Sequence, residues 1–177
     1  MVTSKQQIFE YIVYRIYKWY TEENDIPQEK IESELTIMKL MRLLFLISGV
    51  DTDNHLFDIF RFQAWQYGQM EPDIYNIYSE NKGKFKHFEV GRFGFKWLQP
   101  DDISTNIPII DNKELQEKLD ICIDILLENY PRTVQADWYH LSELCRSFVS
   151  YKEYNKPDIW NTDIDKMLLI YEPKYYF

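Results

Sequence analysis

The hydrophobic pattern opens with an amphipathic helix. Apolar residues lie four apart near the N-terminus at Ile8, Ile12, Ile16 and Tyr20. This spacing predicts a helix over residues 4–22 with one face turned to the core. Residues 28–35 are polar and fit either a short helix or a loop. Thr36 is a good N-cap for the next helix, which is apolar at almost every position until Gly49, so we expect that helix at the centre of the fold.

Aromatic residues dominate the middle of the chain. Residues 59–65 have the aromatic content of a short β-segment. Gly68 permits a positive φ or a close backbone approach. Pro72 fits the first turn of a following helix, which we expect to end near Asn81. Residues 83–99 combine three glycines with five Phe and Trp residues, a composition that predicts a loop or a small hairpin.

The last part of the chain is helical again. Residues 101–112 contain helix-breaking residues, which indicates a linker. Further elements are predicted as a helix that Asn112 can cap and that continues to Tyr130, a helix from Thr133 or Asp137 through Phe148, and a short element over residues 158–171. Residues 174–177 are expected to be partly mobile unless they dock. Together these patterns predict a mainly α fold, a single compact helical domain with a small β-hairpin or short β-element.

Composition and charge narrow the range of partners. The 177 residues include 20 Lys and Arg against 29 Asp and Glu, for a net charge of −9. An acidic surface repels phosphate backbones, so direct nucleic acid binding is not expected. A basic protein partner suits the charge better, although the charge also serves solubility alone. The 17% aromatic content fits a core filled with rings or a half-buried contact surface.

Two cysteines and the lack of long apolar segments bear on location. Cys122 and Cys145 both lie in apolar helical patterns, which predicts buried, reduced thiols. No run of 18 or more apolar residues is present, and the N-terminal residues lack an apolar signal core. We therefore expect a cytoplasmic protein with no membrane partner.

The sequence offers no recognisable catalytic pattern. The three histidines, His55, His87 and His140, are not spaced from each other or from a cysteine as metal ligands are. Phosphate-binding glycine loops and the nucleophile elbow of hydrolases are also missing. We therefore predict no catalytic, cofactor-binding or metal-binding residue and no cofactor. An enzyme with an unrecognised site remains the least favoured alternative.

The most informative segment is Phe62-Gln-Ala-Trp-Gln-Tyr-Gly68, here called the aromatic elbow. In an extended segment, Trp65 and Tyr67 share one face. Gly68 would let the chain reverse under them, and amphipathic rings beside such a turn suit a protein-contact groove. The simpler alternative for Trp65 is core packing. The predicted partner-binding residues are Trp65, Tyr67, Gly68, Tyr75, Tyr78, Phe93 and Trp97.

Two of these segments together resemble a known family. Residues 35–47 resemble the Lys-Leu-x-Lys-Leu-Leu-Tyr helix of the Panacea domain, the SocA-like antitoxin family, with Arg42 in place of the second lysine. The aromatic elbow resembles the Ala-Trp-x-Tyr-Gly-Pro-Val signature of that family, with Gln69 in place of the proline. Residues 73–75 match the helix start that follows. Residues 141–144 and Trp160 are similar to the family's closing helix and its end.

The resemblance implies both a fold and a role. It implies one Panacea domain over residues 1–177, with a core of about 4–160 and an extension over 161–177, mainly helical with a small β-element. Many members are antitoxins of bacteria and mobile elements that bind and neutralise a protein toxin encoded in an adjacent gene. Our leading hypothesis is such a binding protein with an aromatic, acid-rimmed contact surface; the oligomeric state stays open, a homo-oligomer included. The alternative is an adaptor that delivers a partner to a protease or chaperone through a mobile C-terminal tail.

Overall fold

Helices account for most of the fold. The computed structural model describes residues 3–98 and 107–177. The α-helices in these residues are α1 (Lys5–Lys18), α2 (Gln28–Glu34), α3 (Ile37–Gly49), α4 (Pro72–Glu80), α5 (Lys113–Asp124), α6 (Pro131–Gln135), α7 (Trp138–Ser147), α8 (Val149–Tyr154) and α9 (Lys166–Tyr171). Two helices end in a π-helical turn, Trp19–Glu23 after α1 and Ile125–Asn129 after α5, and Pro157–Ile159 forms a 3₁₀ turn. The mainly α fold with small β-elements is confirmed.

Side-chain caps set the starts of the main helices. The Ser4 side chain accepts a hydrogen bond from the Gln7 amide and forms a capping box with it. Thr36 caps α3 and Asn112 caps α5, as predicted. Of the two predicted starts for the next helix, Asp137 is the N-cap of α7, and the residues before it form the separate short helix α6.

The central element is α3, as the apolar pattern predicted. Twelve of its residues are buried, and it packs against α1, α5, α7 and the short strand Gly68–Met70. Two of the buried residues are the cations Lys39 and Arg42. The buried apolar side chains of the described residues form one continuous cluster around this helix. Because α3 touches so many elements, the side chains at its N-terminal end lie where several of them meet.

Two short antiparallel hairpins make up the β-structure of the described residues. The strands are β1 (Gln63–Trp65), β2 (Gly68–Met70), β3 (Phe88–Val90) and β4 (Phe95–Trp97). In the first hairpin Trp65 pairs with Gly68, so Gln66 and Tyr67 form the turn. The prediction that Trp65 and Tyr67 share the face of one extended strand is therefore wrong, because the chain reverses between them. Gly68 does have a positive φ, +125°.

The second hairpin confirms the predicted hairpin and corrects one contact residue. Its alternation turns Phe95 and Trp97 inward and Lys96 outward. Trp97 is 1% exposed and stacks on Tyr17 of α1 at 5.4 Å between ring centroids. The predicted partner contact through Trp97 is therefore wrong, since its ring belongs to the core. Phe93 lies in the turn of the same hairpin and is 89% exposed.

The C-terminal residues lie against the body of the protein. The Phe177 amide donates to Thr133 Oγ1 at 2.8 Å, and the ring of Tyr176 packs on Tyr130 at 4.6 Å. Lys174 Nζ donates to the carbonyl of Glu172 at 3.1 Å. Docking is therefore the outcome for this tail. Most of the predicted linker, residues 101–106, lies outside the described residues.

None of the helices in the described parts of the chain combines the length and the apolar character needed to cross a bilayer.

Candidate binding site

One cavity lies where the aromatic elbow meets the N-terminal end of α3. Its volume is about 530 Å³. The elements around it are α3, the β1–β2 hairpin, α4, the turn between β3 and β4, and the start of α7. The lining residues are Thr36, Ile37, Met38, Arg42, Trp65, Gln66, Tyr67, Met70, Tyr75, Tyr78, Arg92, Phe93 and Trp138. This volume lies within the range of ordinary ligand pockets.

Aromatic rings form most of the sides of this cavity. Tyr75 contacts Trp65 edge-on at 5.1 Å between centroids and Tyr78 at 5.4 Å. Tyr67 meets Trp138 edge-on at 6.2 Å. Such ring pairs hold each other in place, so the cavity presents wide, stiff surfaces that lose little conformational entropy on binding.

The hairpin that presents Trp65 and Tyr67 is fixed by hydrogen bonds from α8 and from Asn155, its C-cap. Tyr151 Oη donates to the Gln66 carbonyl at 3.0 Å, and Asn155 Nδ2 donates to the Ala64 carbonyl at 3.2 Å. The turn therefore has partners for its carbonyls and does not depend on its two short strands alone.

Local sequence explains the position of Tyr75 and Tyr78. Pro72 starts α4, and Glu71 caps it by accepting a hydrogen bond from the Ile74 amide at 2.7 Å. The buried Glu71 carboxylate also pairs with Lys5 Nζ at 2.7 Å, which ties α4 to α1. The two tyrosines are three apart, so they lie on one side of the helix.

Arg42 is the charged residue at the floor of the cavity. Its side chain is fully buried. Nη1 donates to the carbonyl of Gln69, and Nε donates to Ser142 Oγ at 3.4 Å. Nη2 has no hydrogen-bond partner among the described residues. The guanidinium therefore has a donor group, Nη2, that no described residue satisfies.

The burial of Arg42 is energetically unusual. Burial lowers the pKa of its guanidinium, while the neighbouring Cys145 and Tyr151 side chains act weakly in the opposite direction. Among the described residues, no carboxylate contributes to this balance. A buried charge without a counter-ion is costly in a folded protein. Arginine nevertheless stays protonated, since its ordinary pKa lies above 12.

The charged residues among the described lining of the cavity are both arginines. Arg92, in the β3–β4 turn, is the second charged lining residue, and it is exposed. Within residues 3–98 and 107–177, neither Arg42 nor Arg92 forms an ion pair. The predicted acid-rimmed aromatic surface stays a prediction, and the charged lining residues of this cavity in the described part of the chain are positive, although the whole chain is acidic.

The structure brings most of the predicted contact residues together. The cavity is lined by Trp65, Tyr67, Tyr75, Tyr78 and Phe93. Gly68 lies directly behind it: a Cβ at this position would meet Arg42 Nε at 3.1 Å. Trp97 is the one predicted residue that is remote from the lining, for the reason given above.

Arg42 and Trp138 are two of the lining residues that were not predicted as contacts. Arg42 was noted only as the residue in place of the family's second lysine, although a charge amid apolar neighbours was a signal for a buried functional group. Trp138 follows the N-cap of α7, where a large exposed ring has no local structural purpose. Both are placed at the cavity by tertiary packing, which residue spacing does not report.

The lining suits binding. It offers aromatic faces, tyrosine hydroxyls and two guanidinium groups, and it contains no carboxylate, histidine or cysteine among the described residues. In the same part of the chain, no group of three or more His, Cys, Asp or Glu side chains is placed to hold a metal ion. Aromatic and arginine side chains are the types most enriched at the energetic centres of protein interfaces.

Comparison of the chain with protein-family models, with curated proteins and with solved structures finds no match.

Proposed function

We propose that this protein is an antitoxin-like binding protein that neutralises a protein toxin by direct contact, with the cavity as the centre of the interface. The observation that carries the proposal is the convergence of Trp65, Tyr67, Tyr75 and Phe93 around one half-open cavity with a buried arginine at its floor. A rigid aromatic pocket around a desolvated charge has the make-up of an interface hot spot.

The resemblance of residues 35–47 and 62–68 to the Panacea domain supports the toxin as the kind of partner. Both segments line the cavity, through Thr36 to Arg42 and through Trp65 to Tyr67. The motif thus coincides with the surface that is best suited to binding. The genes adjacent to this one are the candidates for the toxin.

The two alternatives find less support. The adaptor hypothesis relied on a mobile tail, whereas residues 174–177 lie against α6 and Tyr130. Histidine and carboxylates are the commonest general acids and bases, and the lining side chains include neither within the described residues. No specific observation favours either alternative.

The test is neutralisation of toxicity in cells. The full chain is co-expressed with the product of each adjacent gene, and growth rescue is scored. Phe93→Ala removes a cavity ring that is 89% exposed, so it should leave folding intact, and Tyr75→Ala removes a wall of the cavity. We expect each variant to bind the neutralised toxin about tenfold more weakly or worse, as for interface hot spots.

Tyr171→Ala is the matched control. Tyr171 is 69% exposed on α9 and does not line the cavity. It should rescue growth and bind the toxin like the unchanged protein. If no adjacent gene product is toxic and neutralised, or if Phe93→Ala and Tyr75→Ala bind as tightly as Tyr171→Ala, the proposal fails.

A further inference from the structure

We infer that the cavity receives the C-terminal residue of its protein partner, with the terminal carboxylate on Arg42 and the last side chain between the aromatic walls. This inference rests on the proposed function and specifies which part of the partner is bound. It commits to one occupant, a chain end with an apolar final residue.

The first step is the unused donor of Arg42. Nη2 is buried and lacks a partner among the described residues, while Nε and Nη1 are already bonded to Ser142 and Gln69. These two bonds hold the guanidinium in place, so the remaining N–H groups are oriented before any ligand arrives. A fixed guanidinium is best satisfied by a carboxylate, which also supplies the missing negative charge.

The second step is the local potential. The charged lining residues are Arg42 and Arg92, and both are positive. The N-terminal end of α3 also borders the cavity at Thr36 and Ile37, and its cap is a neutral threonine. The positive end of the helix dipole therefore adds to the two arginines. An anionic group is favoured here even though the net charge of the chain is −9.

The third step separates a chain end from an acidic side chain. The carboxylate on Arg42 must be attached to a body that packs against Trp65 and Tyr75. In a polypeptide, only the last residue joins a carboxylate and an apolar side chain at one Cα. An internal Asp or Glu has no apolar group of its own, and its chain must leave the cavity in both directions. A volume of about 530 Å³ suits a few terminal residues better than a strand that passes through.

The test uses the full chain and four probes of defined chemistry. N-acetyl-Ala-Ala-Phe models a chain end. The second probe is the same tripeptide with a C-terminal amide, which lacks the negative charge. N-acetyl-Ala-Glu-Ala-amide models an internal acid, and 3-phenylpropanoate models a free aromatic acid. Binding is followed by tryptophan fluorescence and by the indole N–H signals of Trp65 and Trp138. We expect the acid tripeptide to bind at least tenfold more tightly than each of the other three.

Variants locate the binding site. Arg42→Gln should reduce binding of the acid tripeptide to the level of its amide, while leaving amide binding unchanged. Arg92→Gln, which alters the exposed rim, should reduce acid binding by less than threefold. If Arg42→Gln does not fold, the comparison of acid and amide on the unchanged protein still decides the matter. Equal binding of acid and amide, or no binding of either, overturns the inference.

The remaining outcomes also have defined meanings. Tighter binding of the internal-acid probe assigns the cavity to an acidic side chain, and equal binding of 3-phenylpropanoate assigns it to small acids; each result overturns the chain-end inference. With a neutralised toxin in hand, a Gly-Ser-Gly-Ser extension of the toxin's C-terminus should weaken the complex at least tenfold. If the extension has no effect while Tyr75→Ala still abolishes neutralisation, the inference fails and the proposed function stands.

Discussion

Two buried cations three residues apart on α3 are treated differently by their surroundings. Lys39 Nζ donates to Tyr20 Oη at 2.8 Å and lies 3.7 Å from a Glu34 carboxylate oxygen. Burial lowers the pKa of Lys39 to about 8, and Glu34 offsets part of this effect. Arg42 has carbonyl and hydroxyl partners only. The lysine is therefore partly compensated within the protein, whereas the arginine is left with a donor for a ligand.

The depressed pKa of Lys39 makes a pH-dependent stability prediction. Below pH 8 the buried amine is charged, and the fall from its ordinary value of 10.5 corresponds to a penalty of about 3 kcal/mol. Between pH 8 and 10.5 the unfolded chain binds more protons at this site than the folded chain, so stability rises and the penalty vanishes above 10.5. Lys39→Met should therefore be more stable than the unchanged protein at pH 7, and this advantage should shrink as the pH rises to 10.5.

The measurement is urea unfolding of both proteins at several pH values from 7 to 10.5. Lys113→Met is the control, because the side chain of Lys113 is 89% exposed at the start of α5. Its difference from the unchanged protein should stay within about 0.5 kcal/mol at every pH. A Lys39→Met difference that does not depend on pH would contradict the assigned cause.

At the residue scale, the sequence predicted the helix caps but not the burial of the two cations. Thr36 and Asn112 were predicted as caps because capping depends on a residue and its next three neighbours. Whether Lys39 and Arg42 are buried depends on Tyr20, Gln69 and other residues far along the chain. Spacing along one helix does not contain that information.

At the scale of elements, the β1–β2 hairpin depends on one glycine. Gly68 pairs with Trp65 and has φ of +125°, a conformation that L side chains rarely adopt. A Cβ there would also meet Arg42 Nε at 3.1 Å and Cys145 Cβ at 3.2 Å. The glycine thus serves the turn and the placement of the arginine together.

We expect Gly68→Ala to lower the free energy of unfolding by about 1–3 kcal/mol, because it adds backbone strain and overpacks the groups behind the cavity. The matched control is Gly91→Ala, since a Cβ at Gly91 meets nothing within 4 Å. Denaturant unfolding of the two variants gives the comparison. A loss for Gly68→Ala no larger than that for Gly91→Ala would show that neither the strain nor the contact matters.

The sequence predicted the main helices well and the register of the hairpins poorly, for a physical reason. A helix such as α5 is predictable from an apolar stripe and an N-cap that both lie within one segment. The register of β1 and β2 depends instead on where the chain reverses, and Gln66 and Tyr67 are not typical turn residues. The same limit explains Trp97, whose inward orientation follows from hairpin register.

At the scale of the molecule, the acidic surface and the positive cavity have separate consequences. The net charge of −9 favours encounter with a basic partner over long range. The two lining arginines act only at contact distance, where they favour an anionic group. A basic protein that ends in an apolar residue with a free carboxylate would satisfy both. Composition gives the net charge, but it does not reveal the positive lining of the cavity, because it sums the charges of the whole chain.

The buried thiols can report whether the described elements unfold as one unit. Cys122 on α5 donates to the Asn54 carbonyl at 3.0 Å, and Cys145 lies on α7 behind Gly68. Burial raises the pKa of both thiols to about 12, so neither is reactive in the folded state. If the chain is one cooperative domain, both thiols should react with a disulfide reagent only through global unfolding, at least about 10³-fold more slowly than an exposed thiol.

Ser33→Cys supplies the exposed reference, because Ser33 lies on the outer side of α2. Labelling is followed at each cysteine by mass spectrometry of peptides at increasing urea concentrations. Both rates should rise together, with the full urea dependence of global unfolding, because one apolar cluster connects α5 and α7 through α3. Rapid reaction of Cys145 alone, with little dependence on urea, would instead mean that α7 opens locally. Because α7 supplies Trp138 and packs behind Arg42, such opening would make the binding cavity a separate, weaker unit of the fold.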